Sequence, residues 1–252
     1  MTSTAPSPQP VPVPVPAPAG SSGRPAHPIR LVVLDMAGTT VADDGLVELA
    51  FTRAAEEMGV APGSADHAAK LDHVRATMGE SKITVFRALF GEEETARRAN
   101  TAFERAYAEL LSAGRCAPLP GAEETIGRLR ADGRTVVLTT GFSRTTQDAL
   151  LAALGWTGIA DLTLCPADAG RGRPYPDMVL TAALRTGAEA VQQIAVVGDT
   201  AYDMLTGVRA GASVVAGVTT GAHGEDRLRE AGATHVLRSV ADLPDLLREY
   251  GS

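Results

Sequence analysis

The sequence predicts an α/β fold in which a doubly wound parallel sheet carries an inserted small helical cap domain. The first observation is that short, almost continuously apolar runs alternate with stretches whose apolar residues recur at helical spacing. Such runs are typical of strands that are buried on both faces of a parallel sheet. The second observation is size: 252 residues, 44% of them hydrophobic and 21% charged, suffice for one globular domain and a smaller one.

The apolar runs give six predicted strands. These are IRLVVLD (29 to 35), TVVLTTG (135 to 141), DLTLC (161 to 165), IAVVGD (194 to 199), SVVAGV (213 to 218) and THVLRS (234 to 239). Helices are predicted for residues 146 to 155 and 177 to 187, because each stretch has apolar residues at helical spacing and ends at a glycine.

The strand pattern stops between residues 46 and 117, where only helical patterns such as LVELAFTRAAEEMG and TAFERAYAELLSAG occur. This stretch directly follows the first predicted strand and its turn. We therefore predict a helical cap over residues 46–117 that covers the carboxyl ends of the strands, where open α/β folds bind ligands. The catalytic core then consists of residues 28–45 and 118–252.

Composition narrows the functional classes. A net charge of -7 argues against binding to nucleic acid or to anionic membranes. Two cysteines, Cys116 and Cys165, are too few for a disulfide framework, and with five scattered histidines they predict no zinc site and fit a reducing cytoplasm. The first 27 residues, with VPVPVPAPA at their centre, lack the basic start of a signal peptide and predict a disordered polyproline-type tail.

Polar residues of reactive type follow four of the predicted strands. They are Asp35, Thr140 with Gly141, Arg173, and Asp199 with Asp203. Carboxylates together can hold Mg²⁺, Arg173 and Thr140 can bind phosphate oxygens, and Asp35 can accept a phosphoryl group covalently. Each residue alone is weakly informative, since an Asp at a strand end is more often a turn residue. In contrast, GAHGEDRLREAG (221 to 232) predicts a solvated segment without a chemical role.

The segments DMAGTT, LTTG, GRPYP and VGDTAYD together resemble the four motifs of the haloacid dehalogenase superfamily of phosphoryl-transfer hydrolases, over residues 28 to 245. The resemblance implies a Mg²⁺-dependent enzyme that acts on a small molecule, and a homodimer. It implies that Asp35 is the nucleophile. The implied metal ligands are Asp35, the main-chain carbonyl of Ala37, Asp199 and Asp203, and the implied substrate-binding residues are Thr140, Gly141 and Arg173.

Ala37 occupies the position where phosphatases of that superfamily carry a second Asp, which protonates the leaving oxygen. A positioned acid typically contributes ~10²- to 10⁴-fold to the rate, so its absence is a handicap for cleaving a phosphate ester. Cleavage of a phosphorus to carbon bond does not need it, because the departing carbon has no lone pair to protonate. Such a reaction needs an electron sink, which a lysine supplies by forming an imine with an adjacent aldehyde.

Lys82, in TMGESKITVFRALFG (77 to 91), is the candidate for that imine. Only Lys70 and Lys82 are lysines among 23 basic residues, and a guanidinium cannot form an imine. The alternative is a solvated lysine at the start of a helix, which is the favoured interpretation of Lys70.

With DMAGTT, TTGF and GRPYP, the MG-x-x-K pattern at Lys82 resembles the phosphonatase-like branch of the superfamily, the phosphonoacetaldehyde hydrolases and their relatives. In that branch a cap lysine forms the imine and the core aspartate accepts the phosphoryl group; Lys82 and Asp35 match. Three positions depart from the pattern: Val85 replaces a histidine, Phe142 a tyrosine, and an apolar residue near Leu46 a cysteine.

The leading hypothesis is therefore a hydrolase that cleaves the carbon-phosphorus bond of phosphonoacetaldehyde or a related oxo-phosphonate. One alternative is a phosphatase of small phosphomonoesters such as phosphoglycolate, in which Asp43 or Asp44 substitutes for the missing acid. A second alternative is a non-catalytic binding protein that retains the fold.

Overall fold

The computed structural model describes residues 27–251, so the predicted tail lies outside the described residues except for its last position. Its strands are β1 (Leu31–Asp35), β2 (Thr135–Thr139), β3 (Leu162–Leu164), β4 (Ile194–Gly198), β5 (Val214–Val218) and β6 (His235–Leu237). They form one sheet in the order β3-β2-β1-β4-β5-β6, in which every neighbouring pair is parallel. The predicted fold class is confirmed.

The helices alternate with the strands outside one long insertion. They are α1 (Leu46–Glu57), α2 (Ala65–Ala76), α3 (Lys82–Phe90), α4 (Glu93–Ser112), α5 (Ala122–Ala131), α6 (Arg144–Ala153), α7 (Pro166–Ala169), α8 (Asp177–Thr186), α9 (Ala201–Ala210), α10 (Glu225–Glu230) and α11 (Leu243–Arg248). Single 3₁₀ turns occur at Val191–Gln193 and Val240–Asp242. Within the described range, no helix is both long and apolar enough to cross a lipid bilayer.

The sheet is covered on both faces, as its apolar strands predict. Side chains of β1 alternate between two separate core clusters: Val32 and Leu34 belong to the larger cluster, and Leu31 and Val33 to the one beneath α8. The whole of β1 is buried. Because successive side chains of a strand point to opposite faces, a strand covered on both sides must be apolar at every position.

The predicted strands exist, but each is slightly shorter than its apolar run. Strand β2, for example, ends at Thr139, and the next residue, Thr140, donates its backbone N–H to the carbonyl of Leu164 at the end of β3 at 3.3 Å. The predicted helix at 146–155 begins earlier, at Arg144, because the Ser143 side chain accepts the backbone N–H of Thr146. Both differences arise from local hydrogen bonds at the ends of elements.

Helices α1 to α4 all lie between β1 and α5, in the region predicted to lack strands. Stacked and edge-on aromatic rings pack them together: Phe86 lies 6.1 Å from Phe51 and 5.8 Å from Phe103 between ring centroids. Tyr107 of α4 lies 4.8 Å from Phe142, in the loop after β2. The insertion therefore contacts the carboxyl-terminal edge of the sheet. Its boundaries as a separate cap, at residues 46 and 117, stay a prediction.

Candidate active site

The predicted site residues converge at the carboxyl ends of the strands. Asp35 ends β1, Thr140 follows β2 and Asp199 follows β4. Successive strands are added on one side of β1 as far as β3 and on its other side from β4 onwards, and ligands of open α/β sheets bind in the crevice at such a switch point. A cavity of about 320 Å³ lies there. The predicted residues that line it are Asp35, Ala37, Lys82, Thr140, Gly141, Arg173 and Asp199.

Arg173 is the positive centre of the site. Its guanidinium lies 2.5 Å from Asp35 Oδ1 through Nη2 and 2.8 Å from Asp203 Oδ1 through Nε. Nη2 also donates to Thr139 Oγ1 at 2.9 Å. Arg173, Asp35 and Asp203 are 4%, 5% and 2% exposed, so the pairs are shielded from water. The fork of Arg173 holds the predicted nucleophile and the acidic residue behind it in one arrangement. Arg173 itself lies in the loop after α7, and not directly at the end of β3 as predicted.

Asp199 is held by groups from two other parts of the chain. Its Oδ2 accepts the backbone N–H of Ala222 at 2.7 Å, and its Oδ1 accepts the hydroxyl of Thr39 at 3.4 Å. A Cβ added at Gly221 would lie 2.0 Å from Asp199 Oδ2, so only glycine permits this approach. The prediction that residues 221–232 have no part in the site is therefore wrong at the first two residues of that segment.

The carboxylates of Asp35, Asp199 and Asp203 are suited to a divalent cation. One oxygen of each lies within 4.8 Å of the others, and all three residues are buried. Burial raises the pKa of Asp35 to about 7, although the nearby Arg173 acts in the opposite direction. The pKa of Asp199 is also raised, mainly by burial and secondly by repulsion from the Asp35 carboxylate. Three carboxylates face one guanidinium, so this donor set fits Mg²⁺, which prefers oxygen ligands and would neutralise the excess charge.

Lys82 is the first residue of α3, and its side chain reaches the same cavity. Its Nζ lies 5.4 Å from the centroid of the Phe142 ring. Burial lowers the pKa of Lys82 to about 8, and Asp43 is the strongest of the groups that oppose this shift. The positive end of α3 also disfavours the ammonium form, since no acidic residue lies in its first turn. The environment thus increases the fraction of Lys82 that is a neutral amine.

The segment before Lys82 lies directly against the core loops. Lys82 donates its backbone N–H to the carbonyl of Gly141 at 3.2 Å, and the carbonyl of Gly79 accepts Arg173 Nη1 at 3.4 Å. A Cβ added at Gly141 would lie 2.7 Å from the carbonyl oxygen of Glu80. The glycine predicted to bind substrate therefore permits the close approach of the insertion.

Other predicted positions behave differently. Lys70 forms an ion pair with Asp66 on α2 at 2.9 Å and does not line the cavity. Its interpretation as a solvated lysine at the start of a helix is wrong, because its side chain is 18% exposed, lies within α2 and is 5.6 Å from the centroid of the Phe90 ring. Val85 is buried within the insertion. The prediction omitted Thr200, which caps α9 and donates its hydroxyl to Asp203 Oδ2 at 2.5 Å. Its signal is present in the sequence as a Thr-x-x-Asp capping box.

Known proteins are similar to this chain in sequence and in fold. The family model described as hydrolase, haloacid dehalogenase-like hydrolase, matches residues 29–211. A phosphonoacetaldehyde hydrolase from Nitratidesulfovibrio vulgaris is 28% identical over an alignment of 255 positions, gaps included, which covers 85% of this chain and 88% of that protein. A protein named "Probable phosphatase IndB" from Dickeya dadantii is 30% identical over 231 residues, which cover 85% of this chain and 97% of that protein.

Among solved structures, a phosphonoacetaldehyde hydrolase like protein from Oleispira antarctica superimposes with a TM-score of 0.76 at 26% identity, covering 92% of this chain and 96% of that one. The family match extends from β1 to the end of α9, and it includes Asp35, Thr140, Arg173 and Asp199 but not the cavity residues Gly221 and Ala222. The chain therefore belongs to the haloacid dehalogenase-like hydrolases, an enzyme family, as its four motifs predict.

Proposed function

We propose that the protein hydrolyses the carbon-phosphorus bond of phosphonoacetaldehyde or a related oxo-phosphonate. The observation that carries the proposal is that Lys82 and Asp35 line one cavity, while Ala37 stands where a phosphatase needs its acid. An amine and a carboxylate on the same small volume can act on two neighbouring atoms of one substrate, a carbonyl carbon and a phosphorus. The relative from Nitratidesulfovibrio vulgaris, named for this activity, supports the proposal.

The reaction begins when the neutral amine of Lys82 condenses with the substrate carbonyl and water departs. The protonated imine then withdraws electrons from the neighbouring carbon. Asp35 attacks phosphorus, the carbon-phosphorus bond breaks, and its electron pair forms an enamine. Water hydrolyses the aspartyl phosphate to phosphate, and protonation and hydrolysis of the enamine release the aldehyde and Lys82.

The remaining residues bind and orient the phosphoryl group. Arg173 and the hydroxyl of Thr140 are the proposed donors to its oxygens, as charge-assisted and neutral hydrogen bonds respectively. Asp35, Asp199, Asp203 and the carbonyl of Ala37 are the proposed ligands of Mg²⁺. A bound Mg²⁺ would supply positive charge beside the phosphoryl oxygens, so that a carboxylate can approach an anionic phosphonate.

A panel of substrates tests the proposal. The purified protein with Mg²⁺ should release phosphate from phosphonoacetaldehyde, and Lys82→Arg should abolish this release because a guanidinium forms no imine. Lys70→Arg, the matched control at the other lysine, should retain it, since Lys70 does not line the cavity. Equal activity of the parent and Lys82→Arg would refute the proposal.

A second candidate is a phosphatase of small phosphomonoesters. The relative from Dickeya dadantii carries a phosphatase name, and Asp43 lines the cavity with a pKa that burial raises. A protonated Asp43 could serve as the acid that Ala37 lacks. Release of phosphate from phosphoglycolate or similar esters, with none from phosphonoacetaldehyde, would establish this function instead.

A further inference from the structure

Asp43, Asp44 and Glu48 line the cavity, and neither phosphoryl transfer nor metal binding uses their carboxyl groups. Asp43 lies in the turn before α1 and lines the same cavity as Lys82. Two backbone hydrogen bonds hold this turn: Leu46 donates to the Asp43 carbonyl at 2.7 Å, and Val47 donates to Asp43 Oδ1 at 3.3 Å. The side chain of Asp43 is thereby oriented before any substrate enters.

Imine formation needs a group that moves protons. The ammonium of Lys82 must lose a proton before it attacks the carbonyl, and the carbonyl oxygen must gain protons before it departs as water. Residues of the related enzymes that could do this are replaced by apolar ones: Val85 is buried in the insertion, and Phe142 carries no hydroxyl. The first motif offers no second acid-base group either, because Ala37 stands at the position of the second Asp of related phosphatases.

The other acidic residues of the cavity are unsuited to this task. Asp44 also lines the cavity, but it is exposed to solvent. Asp35 pairs with Arg173 and is the proposed phosphoryl acceptor. Asp199 accepts the N–H of Ala222 and belongs to the proposed metal site. Glu48 accepts hydrogen bonds from Nε and Nη2 of Arg75, each at 2.8 Å.

We propose, resting on the function proposed above, that Asp43 is the acid-base group for imine formation at Lys82. Its carboxylate removes a proton from the Lys82 ammonium, and the amine adds to the carbonyl carbon. A proton passes from nitrogen to oxygen to give the carbinolamine. Asp43 then returns its proton to the hydroxyl, the carbon-oxygen bond breaks, water departs and the protonated imine remains. Asp43 ends as the carboxylate with which it began.

Electrostatics supports this pairing. Among the carboxylates that act on the pKa of Lys82, Asp43 has the largest effect, ahead of Asp35 and Glu80. Burial raises the pKa of Asp43 and lowers that of Lys82 to about 8, so the two values lie closer together than those of free side chains. A smaller difference makes proton exchange between them less unfavourable. The charged groups that face this pair are Asp35, Glu48, Glu80 and Arg173.

The turn before α1 has a structural role as well, so the test must separate the two. Asparagine accepts the same backbone hydrogen bond from Val47 but can neither take up nor release the proton. Asp43→Asn therefore preserves the turn and removes the chemistry. Asp43→Glu retains the carboxyl group, and Asp66→Asn is the matched control, because Asp66 pairs with the lysine outside the cavity.

Two rates on Lys82 are measured with the full-length proteins and Mg²⁺. The first is the rate at which borohydride traps the imine with phosphonoacetaldehyde, followed by mass spectrometry. The second is acylation of Lys82 by acetic anhydride as a function of pH, which needs no acid-base partner. In Asp43→Asn we expect trapping to slow by about 100-fold or more. Acylation should shift to lower pH, because the carboxylate that raises the Lys82 pKa is gone. Asp66→Asn should match the parent in both.

The outcomes distinguish this inference from the function on which it rests. Trapping at the parent rate in Asp43→Asn overturns the inference and leaves the proposed function standing. Slower trapping together with slower acylation also overturns it, because Asp43 would then only hold Lys82 in place. No adduct in the parent protein overturns both. If Asp43→Asn does not fold, Asp43→Glu decides: trapping within about tenfold of the parent supports the inference, and a loss beyond about 100-fold overturns it.

Discussion

Lys82 donates its backbone N–H to the carbonyl of Gly141 at 3.2 Å, and this bond joins the helical insertion to the loop after β2. The two residues are far apart in the chain, and the bond sets where the Lys82 amine lies relative to Asp35. The proposed reaction depends on this relationship, because the amine and the carboxylate must reach adjacent atoms of one substrate.

Gly141→Ala should separate the insertion from the core loop. The added Cβ would lie 2.7 Å from the Glu80 carbonyl oxygen, so the segment before Lys82 must move. Because a displacement of about 1 Å can reduce a rate about 100-fold, we expect a loss of that order in kcat/KM. Gly127→Ala is the matched control: it lies within α5 with open space around its Cβ and should leave kcat/KM unchanged. Equal kcat/KM in the two variants would contradict a role in catalysis for the close contact between Gly141 and the segment before Lys82.

Arg173→Ala should destabilise the protein when Mg²⁺ is absent. It leaves the buried carboxylates of Asp35 and Asp203 without their counter-ion, for which we expect a loss of about 3–5 kcal/mol in the free energy of unfolding by urea. The deficit should shrink as the pH is lowered towards 5, because protonation of Asp35 removes an unpaired charge. Arg97→Ala, which breaks only an exposed ion pair with Glu93, should leave the urea midpoint nearly unchanged. A midpoint for Arg173→Ala equal to that of the parent would be inconsistent with the buried network.

The pH dependence of activity should report the amine of Lys82. With its pKa lowered by burial to about 8, about a tenth of Lys82 is neutral at pH 7, against about one part in three thousand at the ordinary value of 10.5. Only the neutral amine attacks a carbonyl, and in Asp43→Asn the Lys82 ammonium must lose its proton to solvent. The kcat/KM of this variant for phosphonoacetaldehyde should therefore rise about tenfold per pH unit below the Lys82 pKa, which lies below 8 once Asp43 is gone, and level off above it. The parent should show a flatter profile over the same range, because Asp43 takes up the proton. A kcat/KM that keeps rising with pH up to the ordinary lysine pKa of 10.5 would show that Lys82 is solvated.

Binding of Mg²⁺ should be visible without any substrate. A cation bound by Asp199 and its neighbours stabilises the folded state, and at about 100 times its dissociation constant the melting temperature should rise by about 5–10 °C. Asp199→Asn should lose this rise, while its melting temperature without Mg²⁺ should not fall, because a buried repulsion is removed. Calorimetry with Mg²⁺ and with the chelator EDTA provides the comparison. An undiminished rise in Asp199→Asn would exclude Asp199 as a ligand.

The parallel sheet and the convergence of Asp35, Thr140 and Asp199 were predictable, because the apolar strands are local signals and parallel strands end at one edge. The roles of Thr139 and of Ala222 were not. Thr139 accepts Arg173 only because the loop after α7 folds back over β2, and Ala222 approaches Asp199 through a turn that starts beyond β5. Such contacts depend on tertiary structure and leave no periodic pattern in the sequence.

Lys82 was identifiable from the scarcity of lysine, but its partner was not. The sequence alone does not distinguish the adjacent residues Asp43 and Asp44. Both line the cavity, and they differ in burial: Asp43 is half-buried, whereas Asp44 is exposed. The homodimer and the cytoplasmic location stay predictions, as does the disordered tail.

Borohydride trapping on the parent protein tests the central claim most directly. Incubation with phosphonoacetaldehyde, Mg²⁺ and borohydride, followed by peptide mass spectrometry, should find an ethyl or phosphonoethyl group on Lys82 and none on Lys70. Loss of activity should parallel this modification. An unmodified Lys82 in protein that still releases phosphate from phosphonoacetaldehyde would contradict the imine mechanism.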